Sequence, residues 1–179
     1  MAEFSTGDIL LLQNEISCGD YAIVRAKERG MVVAFNASPI TQSLFDFPLE
    51  NVDYFLINEV EGKALSQADT DDFKDILEKL SAKYPNAAIV MTIGGAGVYY
   101  RDSRQVVHHP AYKVPVVDTT AAGDTFTGFF LTAIAADHPV EAALRLASAA
   151  GALAVTKKGA ANSIPSLEEV LCFIEKNTE

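Results

Sequence analysis

Two cysteines and no tryptophan occur in 179 residues. Cys18 and Cys172 are too far apart for the short ligand spacings of a zinc or iron–sulfur motif. They read as two buried thiols in a reducing cytosol, not as a disulfide framework. Cations are scarce as well: 14 Lys and Arg stand against 24 Asp and Glu, a net charge of −10. That balance excludes a nucleic-acid surface, because a phosphate backbone is held by clustered Lys and Arg. It does not exclude a nucleotide, whose phosphates are also bound by backbone N–H groups and a metal. No apolar run approaches the roughly 18 residues of a membrane span, and no charged-then-apolar leader opens the chain. A cytoplasmic protein without a membrane partner is the expectation.

What is present is an apolar content of 49%, enough for a real core. Residues 1–7 read as a polar start or tag, and residues 8–179 as one domain with no internal repeat and no linker. Short apolar runs at 8–14, 31–37, 52–58 and 87–92 predict buried strands. Helical spacing appears at 18–30, 58–67, 70–85, 123–137, 139–155 and 166–177. Thr70 or Asp69 is the expected cap of the third helix, with Phe73, Ile76, Leu77 and Leu80 on its inner face. Ser166 and Glu169 form a capping box, and residues 97–114 read as a hairpin around Asp102 and Ser103. Strands alternating with helices predict an α/β fold with a mainly parallel sheet.

Three stretches carry chemistry. In "DTTAAGDTFTG" (118–128), Ala121, Ala122 and Gly123 stand directly before Asp124, where a helix starts. Small residues let another group approach the backbone, and unsatisfied N–H groups with the helix dipole make an anion hole. Beside a carboxylate such a hole suits phosphoryl transfer: the N–H groups stabilise charge and Asp124 takes a proton from an attacking hydroxyl. The dipole keeps Asp124 ionised, so it accepts that proton late. The plainer alternative is a helix-start aspartate among residues chosen for tight packing. "TIGGAG" (92–97) runs a strand into a turn whose N–H groups face phosphates, or is an ordinary glycine-rich hairpin entry. "NEVE" (58–61) places Asn58 and Glu61 on one helical face, positioned for hydrated magnesium, or is a strand end with a helix-starting glutamate. His108 and His109 are adjacent in a strand and point to opposite faces, which excludes a two-histidine metal site.

In this order these stretches resemble the ribokinase, or PfkB, family of carbohydrate kinases. "DTTAAGDTF" resembles its C-terminal signature, "NEVE" its Asn-x-x-Glu motif, "TIGGAG" its nucleotide loop, and "VTKKGAANSIP" (155–165) its adenine and monovalent-cation loop. "LLLQNEI" (10–16) is similar too. The resemblance implies a three-layer ribokinase-like α/β fold and transfer of the ATP γ-phosphoryl to a sugar hydroxyl, with ATP, Mg2+ and K+ as cofactors. It implies that Asp124 is the catalytic base and that Ala121, Ala122 and Gly123 line the anion hole. Asn58 and Glu61 organise magnesium through water; Asn58, Thr92, Gly94, Gly97 and Gly123 bind nucleotide, with Ser148 near the adenine. Asp118, Thr120, Ala154, Lys157, Gly159 and Ser163 surround the monovalent cation, and Glu15 and Asp124 face the sugar. Family members are longer. The expectation is that this chain is the nucleotide-binding part, truncated at the N-terminus and lacking the sugar-binding segment and the β lid. Exposed apolar surface follows, and with it a homo-oligomer or a complementing N-terminal half. A nucleotide-binding module without kinase activity and a purely structural oligomer are the alternatives.

Overall fold

The computed structural model describes residues 3–177. Met1 and Ala2 of the expected polar start, with Thr178 and Glu179, lie outside the described residues. The strands are β1 (Ile9–Gln13), β2 (Val32–Asn36), β3 (Tyr54–Asn58), β4 (Ala88–Thr92), β5 (Val98–Arg101) and β6 (Val106–His109). The helices are α1 (Gly19–Glu28), α2 (Glu59–Ser66), α3 (Phe73–Lys83), α4 (Ala122–Ala135), α5 (Val140–Ala154) and α6 (Leu167–Lys176). The sheet runs in the order β1-β2-β3-β4-β5-β6, parallel from β1 to β4. The chain divides into two compact units: the residues to Ile93 with Tyr99–Val106, and Gly94–Val98 with the residues from Val107 onward.

In the first unit the strands are short apolar runs; β2, β3 and β4 are buried along most of their length, and β1 only in part. Register fixes which side chains go where. Leu12 pairs with Phe35 and Ile57 with Met91. These join Val33, Phe55 and Ile89 in one core with Ile23 of α1, Leu65 of α2, and Ile76, Leu77 and Leu80 of α3. Each large side chain buried there contributes about 1.5–3 kcal/mol. Phe73 packs against the same core from its edge. Asp53 ties three elements together: Lys27 Nζ on α1 donates to both its oxygens at 2.8 Å, and Val33 N on β2 donates to Oδ2 at 2.8 Å.

Three expectations need correction. The cap of α3 is Asp72, whose carboxylate accepts from Lys74 N at 2.8 Å; Asp69 does not cap the helix, and Thr70 accepts from Asp72 N instead. A cap oxygen must stand directly before the first helical residue, and that residue is Phe73. Two 3-10 turns, Gln42–Asp46 and Leu49–Asn51, occupy a stretch with no predicted element. Cys18 and Cys172 are exposed free thiols, not buried ones.

In the second unit α4 and α5 pack on each other. Alanines 143, 147 and 150 of α5 are fully buried, and small side chains allow close helix approach. Gly151 continues that surface: a Cβ built there stands 3.5 Å from the Ala122 carbonyl oxygen. Val170 of α6 is buried with Ala149 and Ala150, while Tyr112 meets Phe173 edge-on at 5.1 Å. The predicted capping box is present: Ser166 Oγ accepts from Glu169 N at 3.2 Å, and Glu169 Oε2 accepts from Ser166 N at 2.7 Å.

Candidate functional site

The first unit presents its polar groups at the carboxyl ends of its strands, where parallel α/β sheets bind ligands. Asn58 and Thr92 end β3 and β4 and are direct neighbours in register. Asn58 caps α2: its Oδ1 accepts from Val60 N at 3.0 Å and from Glu61 N at 2.9 Å. Glu61 Oε2 accepts from Asn58 N at 2.9 Å, completing a capping box. Asn58 and Glu61 are thus on one helical turn and are locked to each other. Thr92 Oγ1 is 3.4 Å from the Ile57 carbonyl. Glu15 lies in the loop after β1 and is exposed. With Cys18, Asp20, Thr41, Ser43 and Asp46 it lines a cavity of about 450 Å3. Thr41, Ser43 and Asp46 come from the segment after β2, which carries no motif.

The second unit begins with the glycine-rich turn. Gly97 has φ +99°, and a Cβ there would overlap the His109 carbonyl oxygen, so only glycine fits. Gly94 has φ +40° and open space around it. His108 Nε2 lies 2.9 Å from the Ala96 carbonyl oxygen, while the His109 ring packs on Tyr112. The two imidazoles are therefore apart in role as well as in face. Burial pulls His109 below the ordinary histidine pKa. Among the described residues no three His, Cys, Asp or Glu side chains gather as a metal site.

The start of α4 is the most distinctive backbone in this unit. Ala121 has φ 60° and ψ 10°, the left-handed conformation that alanine rarely adopts, and gives no side-chain cap. Its carbonyl accepts from Thr125 N at 2.9 Å, closing the first helical turn. Ala121 and Ala122 are half-buried; Gly123 and Asp124 are exposed. Nothing stands within 4 Å of a Cβ built on Gly123. A helix start of this kind, with its first N–H groups and the positive end of the dipole, attracts anions. The hydroxyl of Thr125, buried and without a hydrogen-bond partner, adds a polar atom just behind Asp124. Its only signal in the sequence is its place inside "GDT".

Asp118, Thr120 and Gly159 are brought together. Asp118 Oδ1 accepts from Thr120 N at 2.9 Å and from its hydroxyl at 2.6 Å, and Oδ2 accepts from Gly159 N at 3.0 Å. The Gly159 bond, then those from Thr120, pull the Asp118 carboxyl down to about 2. The Val155 carbonyl accepts from Val117 N and Asp118 N, joining the same two loops again. Ala154 is buried at the end of α5. Lys157 directs its amine to Glu169 at 3.2 Å, and the buried Ser163 donates its hydroxyl to the Ala160 carbonyl at 2.6 Å. Ser163 is thus committed within its own loop. Ser148 is half-buried on α5.

Comparison with known proteins places this geometry among relatives. The profile of the pfkB family carbohydrate kinases matches residues 4–167. The ribokinase of Haemophilus influenzae is 34% identical over 178 residues, covering 97% of this chain and 58% of that protein. The ribokinase of Lactococcus lactis is 36% identical over 165 residues, covering 90% and 52%. The chain therefore spans about half the length of the curated relatives it matches. Among solved structures, Arabidopsis thaliana ribokinase complexed with ribose and ATP superposes with a TM-score of 0.82 at 29% identity, covering 93% of this chain and 55% of that one. Ribokinase from Cryptococcus neoformans in complex with ADP gives 0.79 at 26% identity, covering 91% and 59%. The α/β fold is ribokinase-like.

Proposed function

The chain belongs to the pfkB family of carbohydrate kinases, and from that premise we propose that it supplies the nucleotide and phosphoryl-transfer machinery of an ATP-dependent kinase for a ribose-like sugar. The start of α4 carries this reading: a left-handed Ala121, an unobstructed Gly123 and an exposed Asp124 in one helical turn. The N–H groups of Ala121 and Gly123 are assigned to the transferred phosphoryl, where preorganised donors stabilise charge that develops during reaction; the Ala122 N–H, which donates to the Thr119 carbonyl at 3.3 Å, joins them only by giving up that bond. Asp124 is assigned as the base that takes the proton from the sugar hydroxyl, a role worth about 10²–10⁴ in rate. Thr92, Gly94 and Gly97 are assigned to the nucleotide, with Ser148 near its base.

Magnesium, when bound, supplies charge neutralisation across the phosphates. Glu61 fits a water-mediated contact with such an ion, since its Oε2 is held in the capping box and its other oxygen takes no part in that box. Asp118, Thr120 and Gly159, with the backbone at Ala154 and Lys157, are assigned to a potassium-like ion beside the anion hole. Glu15 is assigned to the sugar. Relatives support the acceptor and the donor: several are ribokinases, and one was solved with ribose and ATP. Efficient turnover further requires a segment that orients the sugar and excludes water, because positioning is worth about 7–11 kcal/mol of barrier. A nucleotide-binding module without turnover is the second reading.

Titration calorimetry of magnesium–ATP into the 179-residue chain tests the proposal. Micromolar binding is expected. It survives in Asp124→Asn and weakens at least tenfold in Gly123→Val. A Cβ at Gly123 meets nothing within 4 Å, and an unchanged urea midpoint in Gly123→Val assigns the loss to the ligand rather than to folding. No heat at millimolar ATP with a folded chain sinks the reading. Ribose-dependent ADP release separates the kinase from the binding module.

A further inference from the structure

The glycine-rich turn of the second unit is held in shape by few groups. Gly94, Gly95 and Ala96 are exposed, and nothing stands within 4 Å of a Cβ built on Gly94 or Gly95. Side-chain packing therefore does not fix the tip of the turn, and hydrogen bonds must. Two of them meet on one peptide group, the one joining Ala96 to Gly97. Its N–H donates to the Gly94 carbonyl at 3.2 Å and closes the turn. Its C=O faces the ring of His108 on β6, whose Nε2 stands 2.9 Å away. A carbonyl oxygen only accepts, so Nε2 carries the proton of this bond. The neutral Nε2–H tautomer and the imidazolium both satisfy it. The neighbouring imidazole of His109 packs on Tyr112 instead.

Gly97 does not choose the orientation of that peptide by itself. It is glycine for a steric reason: the His109 carbonyl oxygen and the backbone of Pro110 and Ala111 occupy the space of a Cβ. Its φ of +99° is one of two options, because glycine takes positive and negative φ about equally. Turning the 96–97 peptide over changes ψ of Ala96 and φ of Gly97 together, the same kind of paired rotation that separates turn types. That rotation breaks both bonds and reverses the peptide dipole.

We propose that His108 is a positioning residue for the nucleotide: its Nε2–H holds the Ala96 carbonyl and so selects one orientation of the 96–97 peptide before the ligand arrives. This rests on the assignment of Gly94 and Gly97 to the nucleotide. The bond inside the turn is of the 3-10 type, whose geometry is poor, and it reaches only three residues along the chain. The His108 bond ties the turn to a strand 12 residues on. A turn ordered in this way binds without the cost of being ordered by its ligand.

Titration calorimetry of magnesium–ATP into the 179-residue chain, with amide NMR alongside, tests this. His108→Leu removes the donor and is expected to raise the ATP dissociation constant about fivefold, the worth of one hydrogen bond. His108→Gln carries an amide N–H and recovers most of the affinity. Ser103→Ala, at an exposed position between β5 and β6, leaves it unchanged. The Gly97 amide resonance is expected to be single in the unaltered chain and in His108→Gln, and broadened or doubled in His108→Leu as two peptide orientations exchange. A role in stability alone would lower the urea midpoint without splitting that resonance. Should His108→Leu fail to fold, the ring of the unaltered chain decides: a long-range proton–nitrogen spectrum with the proton on Nε2 supports the proposal, and one with the proton on Nδ1 alone overturns it. Equal ATP affinity in the unaltered chain and His108→Leu overturns the positioning role and leaves the nucleotide reading intact. So does a His108→Gln variant as weak as His108→Leu. No heat from the unaltered chain removes both.

Discussion

Ala121 is held at φ 60°, where an L-residue with a Cβ costs roughly 1–2 kcal/mol. Glycine carries no such cost, although it enters folding with more backbone freedom to lose. Ala121→Gly is therefore expected to stabilise the chain by about 1 kcal/mol, read as a higher urea midpoint at unchanged slope. A lower midpoint would mean that the alanine methyl packs usefully at the helix start. Asp118 gives a prediction with a sign. Its folded pKa, about 2, lies below the ordinary 3.8. The bonds to Thr120 and Gly159 are thus fully formed above about pH 4 and are lost as the pH falls through 2. The amide resonances of Thr120 and Gly159 should titrate together with a midpoint near 2 and stay fixed in Asp118→Asn. Separate midpoints would show that the two loops are not latched by one carboxylate.

Elements were more legible than their ends. The parallel strands and all six helices are visible as apolar runs and helical spacing, because burial on one or both faces writes itself into period. The Ser166–Glu169 box is visible because both partners act locally. The Asp72 cap was hidden among three acidic or hydroxyl neighbours that all qualify by type. The 3-10 turns at Gln42–Asp46 and Leu49–Asn51 have no periodic signal; they follow from where Leu44 and Leu49 find burial in the core. Cys18 is exposed at a left-handed loop end, a placement that no composition rule foresees. The candidate site was legible only as motifs. That Asn58 and Glu61 answer each other across the first turn of α2 needed coordinates. The same pair permits a test that separates structure from ligand. Asn58→Ala removes the cap and should cost about 1 kcal/mol of stability, whereas Asn58→Ser keeps a cap oxygen and recovers most of it. If Asn58 also orders the phosphates, Asn58→Ser restores the urea midpoint without restoring ATP affinity. Recovery of both together would leave the residue a cap and nothing more.

At the scale of the whole molecule, a net charge of −10 meets a proposed ligand that is itself an anion. Long-range repulsion opposes approach, while the backbone N–H groups at the start of α4 act only within the last few ångströms. These two terms respond oppositely to salt. Raising ionic strength from about 0.01 to 0.15 M shortens the screening length from about 30 to 8 Å, which removes most of the repulsion and little of the contact. Magnesium–ATP should therefore bind this chain more tightly as tetramethylammonium chloride is added, the reverse of a basic nucleotide site. Weakening with salt would mean that local cations such as Lys157 and Lys158 dominate the encounter, and would move the phosphates away from the start of α4. Tetramethylammonium is too large for a cation site built from Asp118, Thr120 and loop carbonyls. Exchanging it for potassium at constant ionic strength therefore isolates that site. Further tightening that disappears in Asp118→Asn assigns a potassium-like ion to the 118–120 and 154–163 loops, and equal affinity in the two salts removes the ion from the mechanism.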